Sequence, residues 1–326
     1  MAPAVEQFEP INRAFANVFR PGQMSIGLVL PLLSGVAGEK ADAYPHLERV
    51  QMIEELGFAS LWIRDIPFND PEFGDVGQIY DPFVYLGLLA GATDRIALGA
   101  ASIILPLRHP AHVAKAAASI DQLSSGRLLL GVASGDRPVE YPAMDVDFEG
   151  RGAAFRDSVE YMRATASSFP TAENSFGSLQ GAIDLLPKPT GSRLPMLVTG
   201  GSQQTHEWAA AHGDAWMMYP RGVDYQAMLV NHWRENVAAA DLPPKPTMQS
   251  FGIDLLADDN AEPERIHLGI RSGMPALIDT LRAYRDIGIN HVALNLRQNH
   301  ADLTDTLHRL AAELLPVFHE EQSDET

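Results

Sequence analysis

The sequence contains no cysteine, which excludes disulfide bonds, thiol catalysis and cysteine-ligated metal sites. It also has no long apolar run, because its most apolar early segment, residues 26–33, is interrupted by Pro31 and is far too short to span a bilayer. The first residues lack the basic stretch, apolar run and small-residue cleavage site of a signal peptide. These absences predict a cytoplasmic protein.

Basic residues are also scarce. The chain has 24 lysines and arginines against 42 acidic residues, for a formal charge of −18. Nucleic acid and anionic membrane surfaces are recognised by basic patches, so we expect neither as a partner. A solvated acidic surface that keeps the protein soluble accounts for this balance.

Several catalytic motifs are missing. There is no Gly-x-Ser-x-Gly elbow for a serine hydrolase and no His-Glu-x-x-His zinc motif. Residues 31–35, after the first apolar run, carry no glycine-rich dinucleotide fingerprint. The acidic residues between Asp65 and Asp75 match no calcium-loop spacing. The sequence therefore predicts no metal site.

What is present is a regular alternation of short apolar runs and longer amphipathic stretches. Eight strands are predicted, at residues 24–30, 59–63, 95–105, 127–133, 195–199, 214–219, 247–257 and 291–295. Each is followed by a predicted helix, at residues 45–56, from 81–82 onward, and at 110–123, 152–168, 204–211, 225–240, 275–287 and 303–318.

This alternation predicts an α/β fold with a parallel sheet covered by helices on its outside. Eight repeats allow the sheet to close, so we predict a single eight-stranded β/α (TIM) barrel over residues 24–319. An open, doubly wound sheet is the alternative. An N-terminal extension, 1–23, precedes the barrel and an acidic tail, 320–326, follows it. Residues 170–193, rich in glycine and proline, form an excursion that lies away from the active site or wraps toward it.

Active sites of such barrels lie at the carboxyl ends of the strands. After the fifth predicted strand come Gly200, Gly201 and Ser202, and then Thr205 at the start of a helix. Glycines let the backbone approach a ligand, and the hydroxyls and helix N–H groups suit a phosphate. The alternative interpretation is that Gly200 and Gly201 make a plain turn and Ser202 caps the helix.

Two other strand ends carry charge. Ser134, Gly135 and Arg137 follow the fourth predicted strand. Arg137 suits a phosphate or a substrate acid, or else an ion pair with Asp136 or Glu140 within the loop. Arg64 and Asp65 follow the second predicted strand and rim the mouth of the barrel. They are candidate catalytic residues, or else an ion pair with each other.

Two long stretches of the sequence resemble the luciferase-like monooxygenase family. The first runs through residues 99–110, 114–115, 121–128 and 130–135, and the second through 197–202, 207–210 and 213–216. The resemblance covers nearly the whole chain after Met24. Residues 64–65, 70–71, 73–75, 77–78, 81–82 and 134–138 are similar to one bacterial subgroup, known only as luciferase-type oxidoreductases.

This resemblance implies the barrel fold and a cofactor, usually reduced FMN and less often a deazaflavin. Ser202 and Thr205 match positions that bind the flavin phosphate. Ser134 stands where bacterial luciferase has a phosphate-binding arginine, and Arg137 is a candidate to supply that charge.

Three further positions match the surroundings of the flavin. Ala101 and Ser102 match the family's non-prolyl cis peptide, and Ala133 matches the luciferase cysteine beside the flavin carbon that reacts with oxygen. Asp65 falls near the catalytic histidine of luciferase, so light emission is not implied.

The resemblance predicts an FMN-dependent monooxygenase that oxidises a small organic substrate with molecular oxygen, using reduced flavin from a flavin reductase. A deazaflavin-dependent dehydrogenase or reductase is an alternative, although Asp136 and Arg137 do not reproduce the aromatic or acidic signature frequent in deazaflavin enzymes. A non-catalytic flavin-binding protein is another. The family usually pairs barrels through helices after the second and third strands, and the apolar helix 82–92 predicts a homodimer there.

Overall fold

The computed structural model describes residues 7–32, 43–70, 72 and 80–319. Its strands are β1 (Ser25–Leu30), β2 (Ser60–Ile63), β3 (Ala97–Ile104), β4 (Leu128–Ala133), β5 (Thr171–Asn174), β6 (Gly177–Gln180), β7 (Met196–Thr199), β8 (Ala215–Met218), β9 (Thr247–Leu255), β10 (Glu264–Ile266), β11 (Gly269–Ser272) and β12 (His291–Asn295). Eight of them pair in the order β1-β2-β3-β4-β7-β8-β9-β12, and β12 pairs with β1. All eight pairings are parallel, so the predicted closed barrel is confirmed.

Helices surround this barrel. They are α1 (Arg13–Val18), α2 (Ala43–Glu55), α3 (Pro82–Ala92), α4 (Pro110–Leu123), α5 (Glu140–Ala143), α6 (Arg151–Ala164), α7 (His206–His212), α8 (Val223–Ala239), α9 (Met274–Ile287), α10 (Leu303–Arg309) and α11 (Leu315–His319). A π-helical turn, Leu310–Leu314, joins the last two, where the sequence predicted one continuous helix. Among the described residues, no helix is long and apolar enough to cross a membrane.

Apolar side chains form two layers. The larger lies between the strands and the outer helices and includes Ile53, Leu86 and Leu281, all fully buried. The smaller fills the barrel interior, where Trp62 and Leu129 are fully buried. Strands covered on both faces explain why their sequences are almost continuously apolar.

The N-terminal segment closes the floor of the barrel, at the amino ends of the strands. Asn12 donates hydrogen bonds to Asp121 (2.9 Å) and to the carbonyl of Leu128 (2.8 Å). Phe15 and Phe19 of the same segment pack into the interior apolar layer. Residues before the first strand therefore contribute directly to the barrel core.

The excursion at 170–193 begins with a β-hairpin, in contrast to the irregular segment predicted. Strands β5 and β6 pair antiparallel, and the amide of Asn174 donates to the carbonyl of Asp157 on α6. Further along, Gln122 of α4 donates to the carbonyl of Lys188, and Asp121 accepts from Thr190. The segment thus runs along the outside of α4 toward the floor. The sequence did not predict β5 and β6, because these strands are polar and strands were predicted from apolar runs.

A second hairpin, β10–β11, was not predicted. It adds to the sheet beside the end of β9, where β11 pairs parallel with the last residues of that strand. Gly252 and Gly269 are in such close contact that a Cβ on Gly269 would lie 1.8 Å from the carbonyl oxygen of Gly252. The predicted acidic tail and residues 71 and 73–79 of the loop after β2 lie outside the described residues.

Candidate active site at the barrel mouth

A cavity of about 570 Å³ opens at the carboxyl ends of the barrel strands. It is larger than two cavities near the floor, of about 330 and 400 Å³. The cavity is lined by most of the residues predicted from the sequence, namely Arg64, Asp65, Ala101, Ser102, Ala133, Ser134, Gly135, Arg137, Gly200, Gly201 and Ser202. Thr205 is not among its lining residues. The closed barrel thus brings together side chains that are far apart in the sequence.

The inner wall of the cavity is shaped by a bulge in β3. The peptide between Ala101 and Ser102 is cis, as the resemblance implied, and the pairing of β3 with β4 shifts register there. Gly131 on β4 makes room for this bulge, because a Cβ at that position would lie 2.2 Å from the carbonyl oxygen of Ala100. The hydroxyl of Ser102 is hydrogen-bonded to that of Thr199 at the end of β7.

The turn after β7 has the backbone conformation expected of a tight, ligand-facing loop. Gly200, Ser202 and Gln203 all have positive φ angles, of 53°, 44° and 57°. Non-glycine residues rarely adopt this left-handed conformation, so two in succession indicate a tightly constrained turn. The hydroxyl of Ser202 donates to the carbonyl of Thr199 (2.7 Å), which closes the turn.

This turn is also fixed from outside the barrel. The side-chain amide of Gln204 donates to the carbonyl of Gly152 on α6 (2.7 Å) and its oxygen accepts from Arg156 (3.0 Å). Thr205 caps α7, because its hydroxyl oxygen accepts from the amide of Trp208 (3.2 Å). The cap of this helix is therefore Thr205 and not Ser202, the residue that the alternative interpretation of the sequence named.

The loop after β4 is held by a buried tyrosine. Tyr141 is fully buried, and its hydroxyl donates to the carbonyl of Ser134. Burial raises the pKa of Tyr141 to about 12, so the hydroxyl keeps the proton that it donates. Gly135 has a φ of 78°, and a Cβ there would lie 2.5 Å from the hydroxyl of Tyr141. Only glycine fits this position.

Arg137 lies on the same loop and faces a carboxylate. Its guanidinium is 3.7 Å from the carboxylate of Glu140, and the two side chains are only 6% and 1% exposed. Of the partners considered from the sequence, Glu140 is therefore the residue that meets Arg137 in the loop. Arg137 also lines the cavity.

Asp65 forms an ion pair, but with Arg108 and not with Arg64 as the sequence suggested. Its carboxylate accepts from Nε and Nη2 of Arg108 (3.0 and 2.8 Å) and from the amide of Ile104 (3.1 Å). The end of β3 and the residues after it bring Arg108 to Asp65, so the described ion pair of Asp65 is with Arg108 and not with the Arg64 that the sequence offered as an alternative to catalysis. The Asp65 carboxylate is 1% exposed, so in this geometry it fixes the end of β3.

Arg108 extends this contact to α3. It also donates to Asp81 (3.0 Å), whose other oxygen caps the amides of Phe83 and Val84. Burial opposes the charge of Arg108, but its bonds to Asp65 and Asp81 outweigh burial and raise the pKa of the guanidinium. Arg108 stood within the sequence stretch that carried the resemblance, yet nothing in it identified Asp65 as its partner.

Other lining residues were not predicted from the sequence. Tyr219 and Asn295 directly end or follow strands, so the rule of inspecting strand ends could have found both. Arg297 lies two residues beyond Asn295. His267 and Leu268 form the tip of the β10–β11 hairpin. The sequence has no periodic pattern that predicts this hairpin.

The described residues contain no group of three or more histidine or acidic side chains that could hold a metal ion. The polar lining of the cavity instead combines hydroxyls and cationic side chains with the two separate carboxylates of Asp65 and Asp136. Ser102, Ser134, Thr199 and Ser202 contribute hydroxyls, above an apolar base that includes Met248. Such a donor set suits an organic cofactor with an anionic group.

Comparison with known proteins places this geometry in a family. Residues 24–322 match the family described as luciferase-like monooxygenase. The chain belongs to this family. An uncharacterized protein of Mycobacterium tuberculosis is 27% identical over 281 residues, which cover 81% of this luciferase-like chain and 92% of that protein. The alkanal monooxygenase alpha chain of Photorhabdus luminescens is 29% identical over 161 residues, 49% of this chain and 43% of that relative.

Solved structures share the fold of this luciferase-like chain. The monooxygenase RslO1 of Streptomyces bottropensis superposes with a TM-score of 0.75 at 21% identity, covering 90% of this chain and 99% of that one. An F420-dependent secondary alcohol dehydrogenase superposes with a TM-score of 0.74 at 17% identity, covering 91% and 99%. At these identities the likeness establishes the barrel, while family membership indicates an oxidoreductase with a flavin-type cofactor.

Proposed function

We propose that this protein is an FMN-dependent monooxygenase, which uses reduced FMN and molecular oxygen to oxidise a small organic substrate. The observation that carries the proposal is the cavity at the barrel mouth. There the bulge at Ala101–Ser102, the loop from Ser134 and the turn from Gly200 meet in a chain of the luciferase-like family.

The residues present fit FMN. We assign the phosphate to the turn after β7, where Gly200, Gly201 and Ser202 line the cavity and Thr205 begins the following helix, with Arg137 adding positive charge from the neighbouring loop. The ring system would lie against the bulge of β3 and beside Ala133. The amide of Gly200 donates to the carbonyl of Met217 (2.8 Å), and the lack of a side chain on Gly201 lets a ligand approach the backbone beside it.

Bound reduced FMN supplies the two electrons that activate oxygen. The chain's own residues bind and orient it: the Asp65–Arg108 pair fixes the end of β3, and Tyr141 fixes the loop after β4. The apolar base of the cavity, formed by Val29, Met217 and Met248, limits the access of water from below. Reduced FMN would come from a separate flavin reductase.

The proposal is tested by binding followed by turnover. Purified protein is titrated with FMN while flavin fluorescence and absorbance are recorded, and oxygen uptake is then measured with pre-reduced FMN. We expect saturable FMN binding and oxygen consumption that depends on an added organic substrate. Absence of FMN binding at any concentration tested would refute the proposal.

A deazaflavin-dependent dehydrogenase is the second candidate. The F420-dependent alcohol dehydrogenase resembles this chain in fold as closely as the monooxygenase RslO1 does, with TM-scores of 0.74 and 0.75. Such an enzyme would need no oxygen. Competition between FMN and F420 for the purified protein, followed by an anaerobic alcohol-oxidation assay, separates the two candidates. A flavin-binding protein without turnover would bind FMN and give neither activity.

We also propose that the protein forms a homodimer through α3. Of the apolar residues on this helix, Val84 is 73% exposed and Leu88 45% exposed, while Leu86 and Leu89 are fully buried. We expect sedimentation to show a dimer at micromolar concentration and Val84→Glu to yield monomer. Met228→Glu, at a similarly exposed apolar position on α8, is the control and should leave the dimer intact. A wild-type monomer would contradict the proposal.

A further inference from the structure

The hairpin β10–β11 ends in a turn of two residues that reaches the cavity at the barrel mouth. Ile266 and Gly269 are aligned as the last pair of the two antiparallel strands, so only His267 and Leu268 connect them. Both of these residues line the cavity. The tip of the hairpin is therefore part of the cavity wall.

Leu268 has a backbone conformation that is unusual for its residue type. Its φ angle is 54°, in the left-handed region where the Cβ of an L-residue crowds a backbone carbonyl oxygen. Glycine takes this conformation without cost, and asparagine is the other common choice, whereas a bulky residue rarely adopts it. The neighbouring Gly269 does not have a positive φ. The turn thus has a leucine at the position that favours glycine.

The hairpin is held firmly in place. The amide of Gly252 on β9 donates to the carbonyl of Leu268 itself (2.9 Å). Two residues further along β9, the carboxylate of Asp254 accepts from Nε of Arg271 on β11 (2.7 Å). The left-handed conformation of Leu268 therefore belongs to a supported turn, and such support is what allows an unfavourable conformation to persist.

The tip continues the cavity wall beyond the end of β8. Strand β12 pairs with one edge of β9 as far as Gly252, and β11 pairs with the other edge from Gly252 onward. Nearer the floor, that second edge is occupied by β8. Leu268 therefore stands above the end of β8, where Met217 and Tyr219 also line the cavity.

The apolar core does not account for the leucine at this position. Among the described residues, Leu268 packs into neither of the two apolar layers, whereas Ile270, two positions later, packs against the outer one. Leu268 is nevertheless partly buried. Its apolar surface thus contributes to the cavity, at a position where glycine would suit the backbone better.

We infer that Leu268 is a specificity-determining residue, whose side chain forms an apolar wall against which an aliphatic part of the substrate packs. The inference rests on the proposed function, because it assigns a residue to the substrate side of the same cavity. Unfavourable backbone conformations concentrate at ligand sites, where the position of a side chain matters more than the cost of placing it. The substrate class is accordingly that of organic molecules with an aliphatic portion at the mouth of the barrel.

The experiment measures binding of 1-hexanol, an uncharged aliphatic probe, by isothermal titration calorimetry with and without FMN. Leu268→Gly and Leu268→Ala both remove the apolar side chain. We expect both variants to bind 1-hexanol about tenfold more weakly than the wild type, which corresponds to withdrawing about two methylene groups from an apolar contact. Their affinity for FMN should stay unchanged. Leu123→Ala removes a leucine that is 76% exposed on α4, outside the cavity, and should bind 1-hexanol like the wild type.

Urea denaturation of the same variants separates the backbone from the side chain. Leu268→Gly should unfold at a higher urea concentration than Leu268→Ala, because glycine takes the left-handed conformation without a clashing Cβ. Both variants should nevertheless lose affinity for 1-hexanol to the same extent, since both lack the leucine side chain. A leucine that served only the fold would leave 1-hexanol binding unchanged in both.

No saturable binding of 1-hexanol by the wild type, or unchanged binding in either Leu268 variant, would overturn the inference. A parallel loss of FMN affinity would also overturn it, because Leu268 would then contact the flavin. Greater stability of Leu268→Ala than of Leu268→Gly would overturn it as well, because the leucine would then carry no backbone cost. Binding of 1-hexanol that depends on Leu268, in a protein that does not bind FMN, would leave the apolar wall standing and refute the proposed function.

Discussion

The two ends of the barrel interior are built from the same strands, but their polar side chains have different surroundings. At the floor, polar side chains form a buried hydrogen-bond network with one another. Trp62 donates to Ser60 (2.7 Å), Ser60 contacts Nε2 of His291 (2.9 Å), and Ser25 contacts Nδ1 of His291 (2.7 Å). Ser25 in turn donates to the carbonyl of Val18 (2.7 Å) in the N-terminal segment.

At the mouth, the polar groups face a cavity. Ser102, Ser134 and Ser202 line it together with Arg64 and Arg297. The backbone there also takes left-handed conformations that regular strands avoid. Polar groups enclosed within the protein contribute to stability, whereas those that line a cavity can contact a ligand as well. The comparison assigns the floor to folding and the mouth to function, as expected for β/α barrels.

The largest expected effect is a loss of stability caused by a substitution near the floor of the barrel. A Cβ on Gly99 would lie 2.2 Å from a ring carbon of Trp62, which is fully buried and has no space to move. We expect Gly99→Ala to lower the free energy of unfolding by about 3 kcal/mol, measured by chemical denaturation. Gly91→Ala is the matched control, because nothing lies within 4 Å of a Cβ there. A loss below about 1 kcal/mol for Gly99→Ala would show that the floor can be repacked.

The second expected effect concerns acid stability. Burial lowers the pKa of His291 to about 3, whereas an unfolded chain protonates histidine near its ordinary value of about 6.5. Between these values the unfolded state binds a proton that the folded state rejects, so stability falls as pH falls. His291 should contribute a slope approaching about 1.4 kcal/mol per pH unit below pH 6.

The measurement compares urea denaturation of the wild type and of His291→Gln between pH 6.5 and 5. The variant is expected to be less stable at pH 6.5 but to lose less stability on acidification. His308→Gln, at an exposed position on α10, should follow the wild-type slope. If wild type and His291→Gln show the same slope of stability against pH, His291 is not held uncharged in the folded state.

The sequence predicted the parts of this comparison that depend on local pattern. All eight barrel strands were found, because strands buried on both faces are almost continuously apolar. The residues just after each strand also identified most of the cavity lining, since the carboxyl ends of parallel strands meet at one end of the barrel. The cis peptide at Ala101–Ser102 came from the resemblance alone and could not be derived from the residues themselves.

The features that the sequence did not predict depend on contacts between distant segments. The partner of Asp65 is Arg108, 43 positions away, and no spacing rule selects it over the adjacent Arg64. The hairpins β5–β6 and β10–β11 consist of short, largely exposed strands, so they lack the apolar alternation that marks a strand. The floor was likewise missed, because His291 became meaningful only once Trp62 and Ser25 were placed beside it.

The third prediction tests the mouth by adding charge. Thr205→Glu places a negative charge next to the turn assigned to the flavin phosphate, and like charges in contact repel strongly. We expect the affinity for FMN to fall by about tenfold or more, and loss of the cap on α7 to lower the free energy of unfolding by about 1 kcal/mol. Ser178→Glu adds the same charge on the exposed β6 strand and serves as control. If fluorescence titration shows unchanged FMN affinity, the flavin phosphate does not bind at this turn.

The smallest expected effect concerns Arg137, which shares features of both the floor and the mouth of the barrel. It is buried against Glu140, like a residue of the floor, and it lines the cavity, like a residue of the mouth. A flavin phosphate carries close to two negative charges near neutral pH, and the turn at Gly200 offers it dipoles and hydroxyls but no formal positive charge. Arg137 is long enough to contact Glu140 and a neighbouring phosphate with different nitrogens of one guanidinium.

Removing Arg137 alone would leave the carboxylate of Glu140 buried without its partner, which is strongly destabilising by itself. The informative variant is therefore Arg137→Met/Glu140→Gln, which removes both charges and retains much of the side-chain volume. We expect it to weaken FMN several-fold more than riboflavin, which lacks the phosphate, when both are titrated by fluorescence quenching. Glu140→Gln alone is the control and should bind FMN at least as tightly as the wild type, because the guanidinium then faces the phosphate without a competing carboxylate. Equal losses for FMN and riboflavin would mean that the buried pair only shapes the loop, and Arg137 would then belong with the floor as a residue of the fold.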